Sequence, residues 1–266
     1  MAETSQFEFI EYRKSNGIAY VTIKRPEVRN AMHAPACLEM DSAWKDFESD
    51  PAIRVGIVTG AGDVSFCAGL DLSWRLDSLG SARVGMPETG FGGLTNPRTV
   101  EITKPIIAAV NGYCIGGGLE IAMSCDVVIA SDTAQFGLPE AKRGIIAGAG
   151  GPYRLTRQIP FRIAMGYLLT GRYFGAEEAM GWGLVNQVVP LADVMSTAEA
   201  WAAEIVEGAP LSIRAMREMG IKGMEMTLEE AYSTVFPGMK AVQGSDDSRE
   251  GLRAFIEKRK PVWTGH

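Results

Sequence analysis

Along this chain, apolar residues alternate with polar ones or cluster in short runs, and the two patterns recur in a regular order. Phe7 to Lys14 and Ile18 to Ile23 flank Asn16-Gly17, which predicts two strands joined by a tight hairpin. Arg25 to Asn30 reads as a loop. From Ala34 to Glu48, Cys37, Met40, Trp44 and Phe47 recur at spacings of three and four, which gives a helix one apolar face. Arg54 to Thr59 is a β-branched run of the kind a buried strand needs, and it ends at Gly60-Ala61-Gly62. The strand signal returns at Ile106 to Val110, Asp126 to Ala130 and Val185 to Val189. Helices are predicted from near Gly117, around 149–157 and 161–169, and almost without a break after Leu191. Repeated strand-then-helix units with a helical tail predict an α/β fold, although no exact internal repeat is visible. Leu76 to Arg98 is rich in glycine and lacks periodicity, so it is expected to form a long surface loop, serving as the wall or lid of a pocket.

Composition narrows the classes of function. The 266 residues are 46% apolar and 22% charged, which is enough to bury a large core without disulfide or metal staples. A net charge of −6 with no basic stripe argues against a nucleic-acid partner. Cys37, Cys67, Cys114 and Cys125 lack metal-ligand spacing and read as free thiols in a reducing compartment. Met1 to Gln6 has neither a basic n-region nor an apolar h-region, and no apolar run approaches the roughly 20 residues that span a bilayer. The expectation is a soluble, cytoplasmic protein with no membrane contact. There are only two histidines, His33 and His266. His33 precedes a predicted helix and reads as a cap or surface residue, so acid–base chemistry falls to carboxylates, and no metal is expected.

Two glycine-bearing segments follow buried strands. One is Ser65-Phe66-Cys67-Ala68-Gly69-Leu70-Asp71-Leu72; the other is Asn111-Gly112-Tyr113-Cys114-Ile115-Gly116-Gly117-Gly118-Leu119-Glu120. Glycine lets the backbone turn sharply, and a helix N-terminus presents unpaired N–H groups suited to a developing oxyanion. A bland tight turn would use the same residues. Thr59-Gly60-Ala61-Gly62 superficially suggests a dinucleotide site, but no G-x-G-x-x-G spacing follows. Glu120 falls in the first turn of the helix after the triple glycine, where it would complement the helix dipole or do chemistry. Glu140 sits in Phe136-Gly137-Leu138-Pro139-Glu140, with Pro139 fixing the backbone beside it.

Taken together and in order, these segments resemble the enoyl-CoA hydratase/isomerase (crotonase) family. The likeness also takes in Arg25-Pro26 to Asn30-Ala31, Lys104-Pro105 to Asn111-Gly112, Gly148-Ala149-Gly150-Gly151 and Phe255-Ile256-Glu257-Lys258-Arg259-Lys260-Pro261, nearly the whole chain. The resemblance implies a crotonase-like spiral of repeated ββα units, with the acyl-CoA site in a core over residues 1–195. A C-terminal helical trimerisation region would follow over 196–266.

By motif position, the family's two oxyanion-hole N–H groups fall on Leu70 and Gly117, and its two hydratase glutamates on Glu120 and Glu140. The resemblance implies that the pair holds one water over the C2–C3 bond of a 2-enoyl-CoA thioester, with the C2 proton assigned to Glu140. Coenzyme A, part of the substrate rather than a separate cofactor, would use Glu27-Val28-Arg29, Ala68 and Asp71. Lys258 and Lys260 would contact its phosphates, from the same chain or across a subunit boundary; a solvated helix end is the other reading. Trp74 and Met86 are candidates for lining the acyl pocket, and core packing would use them equally. Family members form trimers or pairs of trimers. Leu70 is bulkier than the alanine often found there, and Ala147 stands where proline is common. The expected activity is enoyl-CoA hydration or the reverse dehydration. The alternatives are a double-bond isomerase that uses Glu140 and a non-catalytic binding protein on the same fold.

Overall fold

The computed structural model describes residues 7–77 and 85–266. The expectation drawn from Met1 to Gln6 lies outside these residues, as does the middle of the 76–98 segment.

The hairpin forms as its sequence predicts: β1 (Ile10–Ser15) and β2 (Ile18–Ile23) pair antiparallel, with Asn16 and Gly17 both in the left-handed region at the turn. Helix α1 (Ala34–Ser49) is capped by His33, whose Nδ1 accepts the Ala36 N–H at 3.4 Å. The chain then winds. Strand β3 (Val55–Gly60) leads to the short β4 (Ser65–Cys67) and helix α2 (Leu72–Asp77); β5 (Ile106–Val110) leads to β6 (Tyr113–Ile115) and α3 (Gly117–Ala122). β7 (Val127–Ser131) leads to β8 (Gln135–Gly137) and a single helical turn at Glu140–Arg143. This is the ββα repeat in structural form.

After α4 (Gly151–Gln158), α5 (Phe161–Thr170), β9 (Phe174–Gly175) and α6 (Ala176–Gly181), strand β10 (Gln187–Val189) closes the main sheet. That sheet has the order β1-β2-β3-β5-β7-β10, parallel beyond the hairpin. The shorter strands form a second sheet in the order β4-β6-β8-β9. Only the main sheet was visible in the hydrophobic pattern. The strands of the second are two or three residues long and lie inside the glycine segments, too short for a period to register.

The main sheet is covered on both faces, which is why its strands read as unbroken apolar runs. Ala19, Val21, Ile106, Ala108 and Val110 face the core shared with α1, α3 and the second sheet. Ile18, Tyr20, Val55, Ile57, Ile107 and Ala109 face the other way, onto Val194, Ala198 and Ala202 of α7 (Val194–Glu207). The boundary expected after residue 195 therefore falls in the first turn of a helix that packs on the sheet. Helices α8 (Pro210–Gly223), α9 (Leu228–Ser233), α10 (Pro237–Val242) and α11 (Asp246–Glu257) complete the chain. Among the described residues no helix is long and apolar enough to cross a membrane.

Part of the 76–98 segment departs from the expected surface loop. Phe91 to Thr95 is buried, and the Trp44 indole donates to Gly92 O at 3.0 Å. Glycine explains the mismatch: Gly92 and Gly93 both have positive φ, and a Cβ at Gly93 would stand 2.9 Å from the Asp41 Cα. Glycine stands at 92 and 93 because the backbone there is pressed between α1 and α3. Lys104 is also buried, and its ammonium donates to Phe47 O at 2.6 Å and Asp50 O at 2.7 Å. It thus supplies donors to carbonyls at the end of α1 that lack intrahelical partners. Burial pushes this amine down to about 8, so it remains charged at neutral pH.

Candidate active site

Successive turns of the spiral deliver the candidate residues to one place. In the first, Asn30 is fully buried; its amide donates to Ala61 O at 3.0 Å and Ser65 O at 2.6 Å, pinning the 25–30 loop to the strand β4. Arg29 adopts a left-handed conformation, and its carbonyl accepts the Ala68 N–H at 3.0 Å. Val28 and Arg29 are exposed, and the Arg29 guanidinium lies 5.5 Å from the Tyr113 ring centroid.

Asp71 joins the two segments. It pairs with Arg25 at 3.0 Å and accepts the Trp74 N–H at 3.2 Å. Burial raises its carboxyl, but the Trp74 and Arg25 hydrogen bonds outweigh that and hold it below the usual carboxylate range. Asp71 thus orders the loop through its own partners. Trp74 is half-buried, edge-on to His33 at 6.5 Å, and Met86 packs partly buried against the core.

Leu70 and Gly117 present the backbone donors. Met32 donates to Gly69 O at 2.8 Å and accepts from Asp71 N–H at 2.9 Å, so the bonded edge of this segment skips Leu70. Its own N–H points the other way, because successive peptide groups alternate. Gly69, at φ +93°, brings the backbone so close to the next turn that a Cβ there would lie 2.8 Å from Ile115 O and 3.1 Å from Gly117 N. Gly117 opens α3, where a helix leaves its first N–H groups unpaired. Neither N–H has an acceptor among the described residues. Two unpaired donors this close together suit an oxygen that gains negative charge. The Phe91 ring forms a wall behind Gly117: a Cβ on that glycine would stand 2.7 Å from its Cζ.

The glutamates enter from the second and third turns. Glu120 is only 3% exposed, and its Oε1 accepts the Gly151 N–H at 2.7 Å, at the start of α4. The alternative of a surface residue soothing its own helix dipole does not apply, since this carboxylate turns inward to the end of another helix. Burial pushes its carboxyl up to about 7. The Gly151 N–H and Ala149 backbone oppose that rise, Glu140 adds to it, and the Arg154 charge also opposes it.

Glu140 begins the turn after Pro139. Its Oε1 sits 2.7 Å from where a Gly116 Cβ would be, and its Oε2 is buried without a hydrogen-bond partner. Burial raises this carboxyl too, against its own backbone N–H and Arg143. Two raised, interacting carboxyls titrate as a pair. The donors around Glu120 favour its charged form, and the bare Oε2 of Glu140 favours a proton there. Both carboxyls are raised, so near neutral pH the pair shares a proton.

Lys258 and Lys260 are not brought to this cluster within one chain. Both are exposed, and Lys260 reaches Glu207 at 3.8 Å. Sequence reasoning missed three contributors. Gly151 lay in a quoted motif but was given no task, although Gly150-Gly151-Pro152 carries the signal of a helix start where backbone must approach closely. Arg154 follows it, and nothing in its neighbourhood marked it out. Phe91 sat in the aperiodic segment and gave no signal at all.

The model of the family described as enoyl-CoA hydratase/isomerase matches residues 13–266. Carnitinyl-CoA dehydratase of Escherichia coli strain K12 is 41% identical over 262 residues, covering 97% of this chain and 99% of that protein. The protein of the same name from Citrobacter koseri is 40% identical over the same shares. Among solved structures, enoyl-CoA hydratase from Mycobacterium tuberculosis H37Rv superposes with a TM-score of 0.89 at 34% identity, covering 97% of this chain and 99% of that one. Enoyl-CoA hydratase EchA1 from Mycobacterium marinum gives 0.90 at 34% identity and the same coverage.

Proposed function

Because the chain belongs to the enoyl-CoA hydratase/isomerase family, we propose that it adds water across the C2–C3 double bond of a 2-enoyl-CoA thioester, or runs the reverse dehydration. The observation that carries this reading is the pair of raised carboxyls, Glu120 held by the Gly151 N–H and Glu140 with its Oε2 unpartnered among the described residues, beside two unpaired N–H groups.

The thioester oxygen accepts from the Leu70 and Gly117 N–H groups, which bind it more tightly as it becomes enolate-like; one such donor is typically worth about 3–4 kcal/mol in the transition state. Glu120, ionised in its cradle of backbone donors, takes a proton from water as the oxygen attacks C3. Glu140 gives its proton to C2, and the proton gained by Glu120 passes back to Glu140 once the product leaves and the next water binds between them. One O–H and one C=C π bond are exchanged for a C–O and a C–H bond, so no external acid or oxidant is consumed. In this reading coenzyme A lies along Val28, Arg29 and Ala68. Asp71 holds that loop in place, Trp74 and Met86 flank the acyl chain, and Lys258 and Lys260 reach the phosphates from a neighbouring copy.

The deciding assay follows loss of the enoyl-thioester absorbance with crotonyl-CoA, and the formation of that band from carnitinyl-CoA, the thioester named for the 41%-identical relatives. Turnover of either supports the reading. Inactivity on both and on long and aromatic enoyl-CoAs would remove it. Full activity of Glu120→Gln in moving a double bond would point to the isomerase instead.

The reading extends to assembly. The C-terminal helices expose Leu228 at 86%, Tyr232 at 92%, Leu252 at 70% and Phe255 at 85%, more bare apolar surface than a monomer ordinarily carries. Two further copies of the chain would cover it, as a trimer or a pair of trimers. Sedimentation at micromolar concentration is expected to give a trimer or hexamer, and a monomer alone would refute this.

A further inference from the structure

Arg154 takes no part in the scheme above, yet it stands where two halves of the site meet. It lies half-buried in the first turn of α4, one turn after the Gly151 N–H that holds Glu120. Its guanidinium is committed to two carbonyls: Nη2 donates to Thr95 O at 2.8 Å and Nη1 to Ala149 O at 3.1 Å. Gly150, at φ +103°, leaves the space this side chain fills, since a Cβ there would fall on Nη1.

From those contacts two chains of structure run to the reacting centre. On one side, the Gly151 N–H bonds Glu120 and the neighbouring Ala149 backbone favours its charge. On the other, the buried Thr95 accepts the Phe91 N–H on its Oγ1 at 2.8 Å, and the Phe91 ring backs the Gly117 donor. A planar guanidinium offers its donors from separate nitrogens in a rigid fork, here one to each carbonyl, whereas an ammonium offers all of its donors from a single atom.

We propose that Arg154 is a positioning residue of this site: it holds the Ala149–Gly151 cradle of Glu120 and ties that cradle to the Phe91–Thr95 wall behind Gly117. The charged groups around Glu120 are Glu140, from the turn after β8, and Arg154 itself; Arg154 favours the ionised Glu120 and Glu140 opposes it. Loss of Arg154 removes a positive neighbour and loosens the N–H donors, and both changes favour the protonated carboxyl.

The kinetic part of this inference rests on the hydratase reading; its main test does not. Protein labelled with ¹³C at the glutamate carboxyls is titrated by NMR, the Glu120 signal being identified by its loss in Glu120→Gln. In Arg154→Met, Glu120 is expected to titrate at higher pH than in wild type. With crotonyl-CoA, kcat should fall by between about tenfold and a hundredfold, with little change in KM, as expected for a displaced reacting group. A folded Arg154→Met in which Glu120 titrates as in wild type overturns the proposal. If that variant does not fold, Arg154→Lys decides: the charge is kept and one carbonyl is lost, so kcat should drop while the titration stays near wild type, and an unchanged kcat overturns the tie. Should wild type hydrate no enoyl-CoA, the NMR shift still tests Arg154, so the two failures stay distinguishable.

Discussion

Glu120→Gln is expected to lose hydration activity by roughly a hundredfold to ten-thousandfold, the range for a removed general acid–base, while becoming more stable than wild type above pH 7. The amide keeps an oxygen for the Gly151 N–H but cannot take a proton from water. The stability gain follows from the same burial that prepares the group for catalysis. Folding moves this carboxyl from an ordinary value near 4.5 to about 7. Below pH 4.5 the folded and unfolded chains both carry the proton, and there is no penalty. Between 4.5 and 7 the unfolded chain ionises first, so stability falls as pH rises, and above 7 the loss is complete. A displacement of that size corresponds to at most about 3 kcal/mol. Glutamine escapes it. Urea midpoints at pH 5 and pH 8, measured beside kcat, test both halves. If the difference between variant and wild type is the same at the two pH values, burial is not what tunes Glu120.

Gly116→Ala should cost about a hundredfold to a thousandfold in kcat, the scale of losing an oxyanion donor. Gly116 has φ +57°, where a side chain is strained, and its Cβ would stand 2.7 Å from Glu140 Oε1. Relief requires either the Glu140 carboxylate or the Gly116-Gly117 backbone to move, and each is a working part. The loop proposed to bind coenzyme A lies on an earlier turn, so KM should change little. Gly183→Ala is the matched control: φ is +84°, the strain is similar, and nothing lies within 4 Å of the added carbon. It should lose some stability and retain activity. Equal activity losses in the two variants would mean that backbone strain, not the collision with Glu140, is responsible.

The main sheet was legible because both of its faces are buried, so β3, β5 and β7 appear as apolar runs whatever their register. The residues at the centre of the site were legible for a different reason. Gly69, Gly116 and Gly117 are places where one backbone passes within contact distance of another, and composition records that as glycine. Glu120 and Glu140 were found by their place in those segments, but their burial was not. A carboxylate in the first turn of a helix looks the same on a line of text whether it faces water or the N-terminus of another helix. The Phe91–Thr95 wall was unreadable because its paired glycines, and the prolines Pro87 and Pro97 on either side of it, cancel any period. Its burial arises from fitting against α1, a tertiary effect with no local trace. The role of Arg154 was hidden for a related reason, since it works through carbonyls 5 and 59 residues away in sequence.

The spiral also separates the work of the site by turn. The Leu70 donor belongs to the first ββα unit, the Gly117 donor and Glu120 to the second, and Glu140 to the third, with parallel strands keeping the units in step. On the proposed hydratase reading, activation of the thioester would be shared by neighbouring units, and the fate of the enolate would be decided mainly by what one later turn presents to C2. A substitution at the head of that turn could redirect the chemistry without disturbing carbonyl activation or thioester capture. On that reading the last step could be exchanged while the first stays constant, a division of labour by which new reactions can be acquired one residue at a time.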